Sequence, residues 1–249
     1  MRPARLAVVL VAHGSRDPRA AASTRALASA VASAHPSWEV HAAYLDHAGP
    51  RPVDVLSGLA AAGHGRAVLV PLLLTAAYHG RVDVPAVVTA ARAAGLPLEV
   101  RLADVLGPVS CAVPGPLLDA LIRRLPGHRL DAVVLAAAGT RDAAARLTVE
   151  AAAEALGARL GVPCRVAYAS AAPPTGAEAV TALRAAGAAR VGVASYFLAP
   201  GLLHDNVVAS ARSAGAVAVA GPLGDAPEMV ALAASRVVAA AAPAASSAA

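Results

Sequence analysis

The sequence predicts an α/β protein with two tandem, similar βαβ domains, each built on a central parallel sheet flanked by helices. Two observations indicate this fold class: apolar runs alternate with segments of helical spacing, and the chain repeats itself at an offset of about 125 residues. Continuous apolar runs bounded by turn residues are typical of strands buried on both faces of a parallel sheet. Helical connections between such strands produce right-handed βαβ units.

The first half contains four apolar runs with helical patterns after each of them. Strands are expected at residues 5–12, 39–45, 67–74 and 98–103. Glycine or proline near the ends of the intervening segments predicts helices at 18–34, 52–62, 82–94 and 109–125. A last helix is expected at 227–241, followed by a frayed, low-complexity tail.

The second half repeats the residue types of the first half at an offset of 125 or 124. Matching pairs include Val8 and Val133, Gly14 and Gly139, Asp17 and Asp142, and Tyr44 and Tyr168. So many matches indicate an internal duplication. We therefore expect one domain at residues 1–125 and a second, degenerate domain at 126–249. Because two such halves mimic a dimer, the chain is expected to be a monomer.

The copies differ at positions where chemistry is expected. His13 corresponds to Ala138 and Asp46 to Ser170, while the position of His79 falls on Leu203. The second copy therefore keeps the scaffold and loses the candidate ligands. His204 follows Leu203 directly; it is expected at the surface, and the alternative is an extra ligand that reaches across the cleft between the domains. His41 and His47, which flank the second strand, are interpreted as structural.

Composition and charge exclude several function classes. No apolar span free of charge and proline reaches the roughly 20 residues needed to cross a bilayer. The N-terminal apolar run lacks a signal-peptide cleavage pattern, so a cytoplasmic protein without a membrane partner is expected. The formal net charge of +5 favours anionic partners. Nucleic acid is disfavoured because the arginines are scattered and few aromatic residues accompany them.

Two histidines stand where two apolar strands end. His13 follows the first run and precedes Gly14 and Ser15, and His79 follows the third run. Parallel strands place their carboxyl ends at one edge of the sheet, where open α/β sheets bind ligands. Two imidazoles at that edge predict a metal site, since neutral imidazole binds Co²⁺ and Fe²⁺ and a pair leaves other coordination positions open.

Several segments resemble the sirohydrochlorin chelatase family, the class II chelatases that include cobaltochelatases and ferrochelatases. They are VAHGSRD at 11–17, YLD at 44–46, VPLLL at 70–74 and HGRVDVP at 79–85. The segment SYFLAPG at 195–201 is similar to the degenerate repeat of the long, two-domain members. The resemblance implies a chelatase-like, flavodoxin-like fold. It also implies insertion of Co²⁺ or Fe²⁺ into sirohydrochlorin, an octacarboxylate tetrapyrrole of the cobalamin and siroheme routes, without ATP or an organic cofactor.

The resemblance also implies roles for individual residues. His13 and His79 match the family's catalytic, metal-binding histidines, and Asp46 matches an acidic residue that is usually glutamate. We expect Asp46 to orient a ligand or to accept a proton. Substrate binding is expected from Gly14 and Ser15 and, through charge-assisted hydrogen bonds to ring carboxylates, from Arg16 and Arg81.

Other functions use similar features. A metal or tetrapyrrole carrier would use the same two histidines without turnover, and the sequence does not separate binding from catalysis. Phosphohistidine chemistry is disfavoured because Ala12 stands where phosphoglycerate-mutase-like enzymes carry arginine. Neither a GxGxxG nor a P-loop motif is present, which disfavours a nucleotide site. The choice between cobalt and iron stays open, and nickel is less expected.

Overall fold

The structure is a computed structural model that describes residues 5–75, 82–110, 112–127 and 129–242. The first half comprises β1 (Leu6–Ala12), α1 (Pro18–Ala34), β2 (Trp38–Tyr44), α2 (Pro52–Ala61), β3 (Arg66–Pro71), α3 (Val84–Ala93), β4 (Glu99–Leu102) and α4 (Gly115–Arg124). The second comprises β5 (Ala132–Ala137), α5 (Ala143–Leu160), β6 (Cys164–Tyr168), α6 (Gly176–Ala185), β7 (Val191–Tyr196), α7 (Leu202–Ser213), β8 (Ala218–Val219) and α8 (Pro227–Ala241). The tail at 243–249 lies outside the described residues.

Each half contains a four-stranded parallel sheet with the same strand order. The orders are β2-β1-β3-β4 and β6-β5-β7-β8. In the first sheet, the connection from β1 to β2 therefore runs in one direction and the connection from β3 to β4 runs in the other, so the direction reverses at the boundary between β1 and β3. In the second sheet it reverses at the boundary between β5 and β7. Ligands of doubly wound sheets bind at such boundaries, outside the carboxyl ends of the strands. The predicted fold class, α/β with two tandem repeats, is confirmed.

The apolar runs form strands that are buried on both faces. Ala7 to Val11 of β1 have no solvent exposure, and their side chains alternate between two hydrophobic clusters. Val8 and Leu10 pack on one side of the sheet, whereas Val9 packs on the other. Burial of each such side chain contributes about 1.5–3 kcal/mol to folding. A continuous apolar run is required because neither face of this strand contacts water.

One predicted helix begins later than expected. The helix predicted at 109–125 begins at Gly115, directly after Pro114. Before it, the Leu106 N–H donates to the Leu73 carbonyl over 2.9 Å, and Val109 forms an antiparallel bridge with Ala112. These bonds hold the segment against the end of β3, so its backbone groups are not available for helical hydrogen bonds. The predicted strand at 67–74 likewise ends earlier, at Pro71.

The two halves exchange their last helices. α8 packs against α1, α4 and β3 of the first half, whereas α4 contacts α5 and β7 of the second half. Arg101 on β4 also donates to the Ala242 carbonyl just after α8, over 2.7 Å. One large hydrophobic cluster consequently contains residues of both halves, such as Leu10 and Leu135.

The domain boundary at residues 125 and 126 stays a prediction. Within the described part of the chain, the helices lack the length and apolar character needed to span a bilayer.

The turns that follow β1 and β5 bring two backbone segments into close contact. Gly14 has φ +95° and Gly139 has φ +92°. A Cβ atom at either position would overlap the carbonyl oxygen of Asp46 or of Ser170, respectively. Glycine is therefore needed both for the positive φ and for the absence of a side chain.

Gly139→Ala tests this close approach in the copy that lacks the candidate ligands. We expect it to lower the free energy of unfolding by about 3 kcal/mol, because strain from the positive φ adds to a steric overlap. The control Gly187→Ala has φ +99° but no neighbouring atom within 4 Å, so it should cost only about 1–2 kcal/mol. Urea denaturation measures both. Equal losses would show that the close approach contributes nothing.

Candidate active site

A cavity of about 420 Å³ lies between the two halves, at the carboxyl ends of their sheets. The first half supplies residues 12–15 after β1 and 72–75 after β3 to its wall. The second half supplies residues 137–140 after β5 and 196–204 at the end of β7 and the start of α7. Both topological boundaries therefore open into one shared space, which has the size of a small-molecule site.

His13 lies on this wall, at the first position after β1. The turn that carries it is held by local hydrogen bonds. The Asp17 N–H donates to Ser15 Oγ over 3.1 Å, and Asp17 caps α1 by accepting from the Arg19 N–H over 2.9 Å. Because these bonds hold the backbone on the helical side of the turn, the imidazole emerges from a defined position.

Asp46 lies beside His13 because the turn after β2 contacts the turn after β1. The Asp46 N–H donates to the His13 carbonyl over 2.8 Å. The Asp46 side chain, which is 53% exposed, accepts a hydrogen bond from the His47 N–H over 2.8 Å. This bond is the main reason why the pKa of Asp46 is lowered, and the neighbouring basic side chains, including Arg51, add to the effect. Asp46 is therefore a carboxylate at neutral pH.

The imidazole of His47 forms the third part of this cluster. Its ring centroid lies 6.2 Å from that of His13, with an edge-to-face angle of 68°. Its Nε2 atom lies 3.5 Å from Asp46 Oδ2, and the side chain is 35% exposed. Its backbone has φ +59°, an uncommon value for a residue other than glycine. Sequence reasoning interpreted His47 as structural, and the structure places its ring beside the His13 ring and the Asp46 carboxylate.

The structure brings together part of the predicted site. His13, Gly14 and Ser15 line the cavity, and Asp46 adjoins His13 from outside that wall. Arg16 is exposed at the same turn and forms no hydrogen bond or ion pair with the residues that the structure describes.

The other two predicted site residues, His79 and Arg81, lie outside the described residues. Their placement stays a prediction. Leu74 and Thr75, the last described residues before them, line the cavity. Within the described ranges, no group of three or more His, Cys, Asp or Glu side chains is arranged to hold a metal ion.

Tyr196 of the second half fixes the segment that precedes His79. Its hydroxyl donates to the Leu74 carbonyl over 3.0 Å, and the side chain is 3% exposed. Burial raises the pKa of Tyr196, so the hydroxyl keeps its proton and remains a donor at neutral pH. The segment after β3 is thus bonded to the opposite wall of the cavity.

The prediction that His204 lies at the surface is wrong, because its side chain is only 11% exposed and lines the cavity. Its Nε2 atom lies 3.2 Å from Ser195 Oγ, and its Nδ1 atom lies 3.1 Å from Asp205 Oδ1. This arrangement resembles a Ser-His-Asp triad, but Ser195 is 1% exposed and donates its hydrogen to the Ala220 carbonyl over 2.6 Å. The hydroxyl is therefore not a nucleophile.

Asp205 also connects the two halves of the protein. Its Oδ2 atom lies 2.6 Å from the guanidinium of Arg19, which in turn binds Asp17 at the start of α1. The His204 cluster is thus joined to the helix that follows His13. Of the histidines that sequence reasoning set aside, the structure places His47 and His204 near the site, and only His47 had a usable signal, since its counterpart in the repeat is Ala171. The bonds of His204 depend on tertiary contacts that no sequence spacing indicates.

Comparison with known proteins identifies both repeats. The CbiX family model matches residues 7–113 and 132–240. SirB from Bacillus subtilis with Fe³⁺ is 21% identical, with a TM-score of 0.78 over 96% of each chain. The sirohydrochlorin chelatase SirB from Bacillus subtilis subspecies spizizenii, in complex with cobalt, is 20% identical, with a TM-score of 0.78 over 95% of each chain.

A third structure is CbiX, described as the terminal enzyme for biosynthesis of siroheme in denitrifying bacteria. It is 20% identical, with a TM-score of 0.62 over 96% of this chain and 100% of that one. A comparison with curated protein sequences finds no match. At these identities the structural likeness shows the fold, whereas the family model covers well over half of the chain. The protein therefore belongs to the CbiX family.

Proposed function

We propose that this protein is a sirohydrochlorin chelatase that inserts Co²⁺ or Fe²⁺ into sirohydrochlorin without ATP or an organic cofactor. The observation that carries this proposal is the position of His13 on the wall of a cavity between two CbiX repeats, with the carboxylate of Asp46 beside it. The names of SirB and CbiX, which describe a chelatase and a siroheme enzyme, support the same reaction.

Metal insertion requires two things of the protein. The ion must lose water ligands and reach the ring nitrogens, and two pyrrole N–H protons must leave. Neutral imidazole binds Co²⁺ and Fe²⁺ and also accepts protons near neutral pH. We assign metal presentation to His13 and His79. Asp46 is ionised, so it orients these ligands or accepts a proton.

The arginines of this chain suit a substrate with many carboxylates. All 21 basic residues of the chain are arginine, whose planar guanidinium binds carboxylates in a bidentate manner. Arg16 and Arg141 occupy the same turn in the two halves, and both are exposed. Neither forms an ion pair or a hydrogen bond within the described residues. We propose that they bind ring carboxylates from opposite sides of the cavity, together with Arg81.

Gly14 and Ser15 complete the proposed substrate site in different ways. Gly14 permits the contact that holds Asp46 next to His13. Ser15 Oγ accepts a hydrogen bond from the Asp17 N–H, so its hydroxyl hydrogen remains available to a substrate carboxylate.

We further propose a cytoplasmic monomer without nucleic-acid or membrane partners. The shared hydrophobic core of the two halves supports the monomer, since it already joins the two repeats.

The proposed activity predicts catalysed metalation over many turnovers. Anaerobic sirohydrochlorin is mixed with Co²⁺ or Fe²⁺ and a tenfold lower concentration of protein, and absorbance follows the reaction. We expect acceleration over the spontaneous rate with one or both metals, and a loss of about 100-fold in His13→Ala. His41→Ala, which changes a half-exposed histidine paired with Glu39 on β2, should retain full activity.

The same experiment separates the alternatives. A single burst equal to the protein concentration would indicate a metal or tetrapyrrole carrier instead of an enzyme. No acceleration with either ion would show that the chelatase proposal is wrong. The ratio of the two catalysed rates indicates which metal the enzyme prefers.

Asp46→Asn tests the carboxylate separately. We expect kcat to fall by about 10- to 100-fold, because the amide keeps an acceptor for the His47 N–H but has no negative charge. The melting temperature should change little, since the side chain is half exposed. Asp54→Asn, an exposed acid in the first turn of α2, is the matched control. An unchanged kcat in Asp46→Asn would remove Asp46 from the mechanism.

A further inference from the structure

His47 has the chemistry and the position of a metal-binding group that the proposed function does not use. Its ring centroid is 6.2 Å from that of His13, and 35% of its side chain is exposed to solvent. The Asp46 carboxylate lies 3.5 Å from its Nε2 atom. Imidazole and carboxylate are both ligands of divalent first-row metals.

The second repeat shows that the local backbone does not require a histidine. His47 has φ +59°, and Ala171, at the corresponding position, has φ +65°. The turn hydrogen bonds are also conserved between the copies, since the N–H of the following alanine donates to the carbonyl of Asp46 over 2.7 Å and to that of Ser170 over 2.8 Å. The left-handed conformation therefore belongs to the turn, and the imidazole is an addition to it.

The side chains of this region differ between the copies in a consistent way. Three positions carry a metal-binding group in the first half and none in the second: His13 against Ala138, Asp46 against Ser170, and His47 against Ala171. A histidine that only stabilised the turn would be equally useful in both halves. The presence of His47 in the half that contains His13 and Asp46 links it to their chemistry.

His13 lines the cavity, but Asp46 and His47 do not. His13, Gly14 and Ser15 line it, whereas Asp46 and His47 lie outside its wall. His13 can therefore contact a substrate in the cavity on one side and the Asp46 and His47 side chains on another. The two substrates of a metalation, an organic ring and an ion, do not need a common entrance.

We propose that His47 binds the incoming divalent metal ion and transfers it to His13 from outside the cavity, while the tetrapyrrole occupies the cavity. This inference rests on the proposed function. Transfer is a ligand exchange: a water leaves the ion as the His47 nitrogen binds, and the bond to His47 later breaks as the bond to His13 forms. No electron is transferred, and the charge of the ion is unchanged.

His47→Ala tests the proposal, with His41→Ala as the matched control. Ala171 shows that alanine is accepted at this backbone conformation. Anaerobic calorimetric titration with Co²⁺ alone measures metal affinity, and steady-state metalation measures KM for Co²⁺ and for sirohydrochlorin separately. In His47→Ala we expect the Kd and the KM for Co²⁺ to rise about tenfold and the KM for sirohydrochlorin to stay within about twofold. His41→Ala should change none of these values.

Each alternative result has a defined meaning. Unchanged Kd and KM for Co²⁺ would overturn the proposal, and so would a parallel rise of both KM values, which would indicate a general distortion of the site. His47→Asn, whose side chain also tolerates a left-handed backbone, must reproduce the result and covers the case in which the alanine variant fails to fold. If the wild type does not catalyse metalation but His47→Ala still weakens Co²⁺ binding tenfold, the chelatase function is wrong and metal capture by His47 stands.

Discussion

The site depends on one close contact between two backbone turns. The turn after β1 passes so near the turn after β2 that the residue at position 14 has no room for a Cβ atom. Because the turns are so close, the Asp46 N–H donates to the His13 carbonyl, and the His13 imidazole and the Asp46 carboxylate become neighbours. Each of these side chains follows a strand whose position is set by the sheet. The chemistry therefore relies on a backbone fit that tolerates only glycine.

Both halves keep this contact between two turns, but they carry different side chains at it. The second half keeps the same contact between Gly139 and Ser170, yet it carries small side chains where the first half carries imidazole and carboxylate groups. Its contribution is different: it supplies the opposite wall of the cavity, and Tyr196 bonds the segment after β3. The His204 and Asp205 pair, linked to Arg19, joins the halves at the other end. One copy presents the imidazole and carboxylate side chains, and the other forms the opposite wall of the cavity.

The sequence predicted most of the fold because its strands are buried on both faces and its copies keep the same turn residues. It also placed His13 at the edge where parallel strands end, whereas the resemblance to the chelatases implied that Asp46 acts with it. The late start of α4 was missed because backbone bonds to Leu73 compete with the helical pattern. His204 was missed because its contacts with Ser195 and Phe197 form only when the chain folds. His47 was missed although its alanine counterpart in the repeat distinguished it.

The exchange of the last helices has a consequence for biosynthesis of the chain. The sheet of the first half is covered in part by α8, which begins only at Pro227. A ribosome that has completed the first half has therefore not yet made one of the helices that protect its apolar surface. Because domains usually begin to fold during synthesis, the nascent first half exposes that surface until the final turn of α8 has emerged. Maturation of the first half must then follow translation of α8.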